Sequence, residues 1–184
     1  MKKIVALFSG EGTNLANLIE KIHLKHGAIV CAITNNPEAG GVAKARNAGV
    51  PVVILDHREF KSREHYDEAL VTLINEYNPD LVVLCGFMRI LTPIFTSKIR
   101  AINLHPSLLP AFKGAHAIEQ SFESREKICG VSVHWVSDEL DGGEIILQKS
   151  FTKNPQDNLE EFSAKIRAIE HEILPLSVIK ILND

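Results

Sequence analysis

The chain has 184 residues, 45% of them apolar and 23% charged, with a formal net charge of −3. That length can bury a full core in one domain, residues 1–184, without disulfide or metal staples. The weak negative charge argues against a nucleic-acid partner, so an anionic substrate would need a local site to hold it.

Lys3 to Phe8 reads as a first strand, but its apolar run from Ile4 is too short for a secretion signal or a membrane span. The turn Ser9-Gly10-Glu11-Gly12-Thr13-Asn14 follows, and Leu15, Leu18, Ile19 and Ile22 then recur at helical spacing. Ala28 to Thr34 is a second strand, Val42 to Asn47 a short helix and Val52 to Leu55 a third strand. Arg58 to Tyr77 has the pattern of an amphipathic helix. Leu81 to Leu84 is a continuously apolar strand, as in a parallel sheet covered on both faces. A short helix is expected within Leu91 to Ile99, then a strand from Ala101 to Leu104. This alternation of strands and helices predicts a mostly parallel, doubly wound α/β sheet with a Rossmann-like first half.

The second half changes character. Ala117 to Glu126 predicts a helix, and Val131 to Val136 with Glu144 to Phe151 predict an antiparallel addition to the sheet. Leu159, Phe162, Ile166, Ile169 and Ile173 then define a long C-terminal helix, which Pro175 should kink or end. That helix either packs on the sheet or forms a dimer seam. Cys31, Cys85 and Cys129 form no CxxC pair, which suits buried thiols in a reducing cytoplasm.

Four stretches can carry chemistry. In AINLHPSLLP, Asn103 and His105 lie two apart at a strand end, so they share a face. Ligands of open α/β sheets bind at the carboxyl ends of strands. The pair is either a catalytic amide and imidazole or a pair of loop-pinning hydrogen-bonders. The turn Gly10 to Asn14 can hold a single phosphate on a helix N-terminus, or it is a tight turn with a capping residue. It lacks the third glycine of a dinucleotide fingerprint and the lysine of a P-loop. The loop Ser137 to Gly143 carries Asp138, Glu139 and Asp141: a solvated acidic turn, a metal candidate without EF-hand spacing, or, through Asp141, a partner for His105. Cys85 to Leu91 offers Gly86 and backbone donors to a flat ring, or is a hydrophobic turn. His116 and His134 are weaker candidates, and the scattered histidines suggest no zinc site.

Taken in order, FSGEGTNL, ITNNPEAGGVAKARNAGVP, PDLVVLCGFMRILTP, INLHPSLLPAFKGAH, GVSVHWVSDELDGGEIILQ and IEHEILPL resemble the folate-dependent formyltransferases. Within that family they are most similar to the branch acting on glycinamide ribonucleotide in purine synthesis. The resemblance implies that Asn103, His105 and Asp141 are catalytic. It implies that Gly12, Thr13 and Asn14 hold the ribonucleotide phosphate and that Glu170 meets its amine end. It places the pterin of the co-substrate 10-formyltetrahydrofolate against Met88, Arg89, Ile90, Leu91 and Asp138, and the folate glutamate tail near Arg63. No metal is implied, and the expected assembly is a monomer or homodimer. Two departures stand out: Ile118 occupies the place of the family's usual second histidine, and the chain ends soon after the long helix.

The resemblance also implies a mechanism, in which Asn103 and a protonated His105 stabilise the oxygen of the attacked formyl group while Asp141 orients His105. The alternatives are another formyltetrahydrofolate-using enzyme, or a phosphate-ligand binding module without catalysis. A tRNA-directed relative would be expected to carry a further C-terminal domain, and a hydrolase an N-terminal regulatory one.

Overall fold

A computed structural model describes residues 1–184. One seven-stranded sheet runs through it in the order β3-β2-β1-β4-β5-β6-β7. The strands are β1 (Lys3–Phe8), β2 (Ala28–Thr34), β3 (Val52–Ile54), β4 (Leu81–Leu84), β5 (Ala101–His105), β6 (Ile128–Trp135) and β7 (Ile145–Thr152). The pairs among β1 to β5 are parallel; β6 and β7 add as antiparallel strands at the β5 edge. The helices are α1 (Thr13–Ile22), α2 (Gly41–Asn47), α3 (Arg63–Tyr77), α4 (Pro93–Thr96), α5 (Ala117–Glu123) and α6 (Leu159–Asn183).

Period-two alternation in β1 divides the core. Ile4, Ala6 and Phe8 join the buried cluster that takes in α1 and α6. Val5 and Leu7 join the cluster under α3 and α4. A strand buried on both faces must be apolar throughout, which is why this run shows no polar alternation. From β1 the chain winds outward through β2 to β3, then returns to β4 on the other side. The gap between the carboxyl ends of β1 and β4 is therefore the topological switch point, where open α/β sheets bind ligands.

Three expectations about helices need correction. The pattern from Arg58 to Tyr77 is not one helix. A 3-10 turn at His57–Glu59 is held by Asp56, Phe60 is extended, and Ser62 caps α3 by accepting the His65 N–H at 3.2 Å. Two local side-chain acceptors outcompete helix continuation there. Secondly, α5 stops at Glu123, with Ser124 extended. Thirdly, of the two outcomes expected at Pro175, a kink or an end, the end does not occur: α6 continues to Asn183. Proline cannot donate to the carbonyl four residues back. Here that carbonyl, His171 O, instead accepts from Asn17 Nδ2 of α1 at 2.8 Å. The neighbouring helix supplies the missing donor, and Pro175 itself is buried.

The start of α6 follows its sequence closely, with Asn158 and Glu161 forming a reciprocal capping box. Its Phe162, Ile166, Ile169 and Ile173 are buried against the sheet side of the protein, so the periodic stripe is core and not a dimer seam.

Candidate active site

Two clefts open at the switch point and share Gly86 and Met88 as a common wall. The larger, about 630 Å³, is lined by Met88, Arg89, Ile90 and Leu91 on one side and by Asn103 and His105 on another. Gly86 has φ +77, a left-handed conformation that lets the chain leave β4 and turn along this wall.

The amide and the imidazole arrive as the strand pattern requires. Asn103 and His105 sit on β5, and both line the larger cleft. Asp141 joins them from the loop after β6. It holds φ 52, uncommon for a residue with a Cβ, and is 8% exposed. Its Oδ2 accepts the Gly114 N–H at 2.8 Å and lies 3.5 Å from His105 Nδ1. Its Oδ1 lies 3.5 Å from Asn103 Nδ2. Burial pulls the Asp141 carboxyl upward, but His134, the Gly114 N–H and His105 outweigh it and hold the group below the usual carboxylate range.

His105 Nε2 faces the Phe112 carbonyl at 2.8 Å, and an oxygen can only accept there. Both ring nitrogens thus face oxygen atoms, an arrangement that uses two N–H donors. Glycine is required at 143, where an added Cβ would lie 1.7 Å from the Trp135 carbonyl oxygen. That close passage brings the loop back against β6 and sets the position of Asp141.

His134, which sequence reasoning ranked low, belongs to this cluster. Its Nδ1 meets the Trp135 carbonyl at 2.8 Å; its Nε2 lies 3.3 Å from Asn103 Nδ2 and 3.6 Å from Asp141 Oδ1. The signal was register: Asn103 pairs with His134 across the antiparallel β5–β6 ladder. A further buried device holds the loop after β5. Ser132 Oγ accepts the Leu109 N–H at 3.0 Å and donates to Ser107 O at 2.7 Å.

The smaller cleft, about 510 Å³, is lined by the turn Ser9–Asn14 and by Asn35, Asn36 and His57. Gly12, at φ +72, is the N-cap of α1, and no side chain caps that helix. The capping reading of Thr13 and Asn14 is thereby set aside, and the first-turn N–H groups are left for an anion. An added Cβ at Gly12 would lie 2.6 Å from Gly41 Cα, so only glycine fits. Asn14 Nδ2 instead donates to Glu170 Oε2 at 3.2 Å, joining residues 156 positions apart. Burial raises the Glu170 carboxyl against the opposing effects of Asn14 and Arg167. Asn14 Oδ1 is buried and has no partner. Burial also pushes the Cys85 thiol up to about 12, which removes it as a thiolate nucleophile at neutral pH.

Two expected positions stand apart from the cluster. Asp138 lines the larger cleft but is exposed and bonded to Thr96 Oγ1. Arg63 is exposed on the first turn of α3 and is not part of the cleft wall. Ile118, the departure from the family pattern, lines the larger cleft together with His116.

Residues 2–178 match the formyl transferase family. The chain is 42% identical over 179 residues to a protein of Escherichia coli named phosphoribosylglycinamide formyltransferase, covering 95% of this chain and 84% of that one. A Haemophilus influenzae protein of the same name is 37% identical, with 97% and 86% covered. Among solved structures, the phosphoribosylglycinamide formyltransferase of Campylobacter jejuni superposes with a TM-score of 0.96 at 54% identity, covering 98% of this chain and 97% of that one. Glycinamide ribonucleotide transformylase 1 of Symbiobacterium toebii gives 0.95 at 35% identity, with 100% and 88% covered.

Proposed function

The chain belongs to the formyl transferase family, and on that premise we propose that it moves a formyl group from 10-formyltetrahydrofolate to the amine of glycinamide ribonucleotide in purine biosynthesis. The observation that carries this reading is the convergence of Asn103, His105 and Asp141, with contacts of 3.5 Å, beside a glycine turn shaped for an anion. We infer also that residues 1–184 act as one domain, in the cytoplasm, as a monomer or homodimer and without a metal. No helix is long and apolar enough to cross a membrane.

The phosphate of the ribonucleotide rests on Gly12, Thr13 and Asn14, and its amine end meets Glu170. The unpartnered Asn14 Oδ1 is then the acceptor for a substrate donor. The pterin lies along the backbone of Met88 to Leu91 and the loop at Asp138. Arg63, exposed and outside the wall, is assigned to the glutamate tail and not to the ring.

As the amine attacks the formyl carbon, a C–N bond forms and the carbonyl electron pair moves onto oxygen. Asn103 donates an N–H to that oxygen. Its present bonds, at 3.3 and 3.5 Å, are long and are exchanged for the substrate at little cost. His105 contributes positive charge, and Asp141 holds its ring. The amine then loses a proton through water, and the folate nitrogen regains one as its bond to the formyl carbon breaks.

The test is the absorbance of deformylated folate on mixing the protein with both substrates. Product is expected only when the amine is present; product without it would indicate a hydrolase, and no signal a binding module. Asn103→Ala should lower kcat by about 10²–10³, the usual effect of losing one such donor. A rate within a few-fold of wild type would remove Asn103 from the mechanism.

A further inference from the structure

The smaller cleft holds a histidine that the proposed chemistry leaves unused. His57 begins the 3-10 turn after β3 and lines this cleft with the turn Ser9–Asn14. Of the residues in the cleft wall, Glu11 is the acidic one and His57 the one able to carry positive charge. Glu11 already takes Lys44, at 3.6 Å. A phosphate entering this cleft would therefore find a single basic group in its lining.

The ring is held by a chain of hydrogen bonds whose directions can be deduced as far as the Asn35 amide. The Met88 N–H donates to Ser9 Oγ at 2.8 Å, so the Ser9 hydroxyl hydrogen must go elsewhere. It goes to Asn35 Oδ1 at 2.5 Å. With its oxygen so occupied, Asn35 turns Nδ2 toward His57 Nδ1, at 3.2 Å. The same Nδ1 lies 3.0 Å from the Asn35 carbonyl oxygen. Asn35 thus offers His57 Nδ1 both a donor and an acceptor. In the neutral ring Nδ1 either accepts from the amide, which leaves the hydrogen on Nε2, or donates to the carbonyl, which leaves Nε2 bare. In the charged ring Nδ1 donates to the carbonyl and Nε2 also carries a hydrogen. An anion in the cleft selects the two forms that carry Nε2–H, and Nε2 has no hydrogen bond within the protein.

We propose that His57 is a further substrate-binding residue, donating from Nε2 to the phosphate group of the ribonucleotide from the β3 side of the cleft. The inference rests on the reading of the Gly12–Asn14 turn as the phosphate seat. Asn35 and Ser9 act here as positioning residues, since Asn35 holds the imidazole and Ser9 orients Asn35. They also tie the ring to the Met88 N–H, on the wall that the two clefts share.

The experiment measures steady-state kinetics for both substrates, with inorganic phosphate as a competitive probe. Wild-type turnover of glycinamide ribonucleotide, inhibited by phosphate, tests the underlying reading by itself. Against that baseline, His57→Ala should raise KM for the ribonucleotide and Ki for phosphate about tenfold, the scale of one charge-assisted hydrogen bond. The folate KM and kcat should stay within about twofold. His57→Gln, whose amide N–H extends about as far as Nε2, should recover part of the loss. A ribonucleotide KM unchanged in His57→Ala, or a rise shared equally by both substrates, would overturn the proposal. So would a failure of His57→Gln to recover anything.

Discussion

Replacing Asp141 with Asn changes a charge while keeping shape, and the structure sets its consequence. Asparagine tolerates the left-handed backbone held at φ 52, so the loop should retain its path. The Gly114 N–H, at 2.8 Å, demands an acceptor and fixes the amide oxygen at the present Oδ2 position. The new NH₂ then replaces Oδ1 and confronts Asn103 Nδ2 at 3.5 Å, donor against donor. His105 loses its carboxylate at 3.5 Å. Two unit charges at that distance interact by about 5 kcal/mol at an effective dielectric of about 20. Part of this is offset by the desolvation of both groups, so about 3–4 kcal/mol should reach the barrier. The expected result is a kcat lower by about 10²–10³, with thermal unfolding shifted by only a few degrees. The assay is folate absorbance with both substrates saturating. A kcat within about threefold of wild type, in a folded variant, would refute the assignment of Asp141 as the group that supports His105.

Two further outcomes follow from the packing around α6. Asn17→Ala should leave the His171 carbonyl without the donor that Pro175 cannot supply, lowering unfolding stability by about 1–3 kcal/mol in urea titration; an unchanged midpoint would show that water or helix adjustment replaces it. Glu170 has its carboxyl raised by burial, so its contribution to stability is full below the unfolded carboxyl range and is lost as pH rises through the folded value. Glu170→Gln removes that loss and should therefore melt higher than wild type at pH 7. The gain should vanish near pH 4, and weaker ribonucleotide binding should accompany it. A melting temperature lower than wild type at pH 7 would contradict the sign.

Much of the architecture was legible in one dimension, because local physics decides it. The apolar runs of β1 and β2 read as strands, and that of β4 as a strand covered on both faces. The stripe from Leu159 to Ile173 reads as a one-sided helix, and the structure adds the Asn158–Glu161 capping box at its start. The pairing of Asn103 with His105 followed from the two-residue repeat of a strand. Asp141 stood in the sequence as one of several readings of an acidic loop, and Glu170 came through family resemblance, since nothing near either in the chain ties it to its partner.

Other features required the third dimension. Pro175 reads as a helix breaker until α1 brings Asn17 to the orphaned carbonyl, and the donor lies 154 residues away. His134 reads as an ordinary strand histidine until β6 turns antiparallel and sets it opposite Asn103. The chain Met88, Ser9, Asn35, His57 crosses from the end of β4 to the turn after β3, and no spacing in the sequence announces it. Backbone periodicity and capping act over a few residues and leave a mark in the sequence. Hydrogen-bond partners across strand ends are chosen by sheet order and register, which many weak long-range contacts decide together.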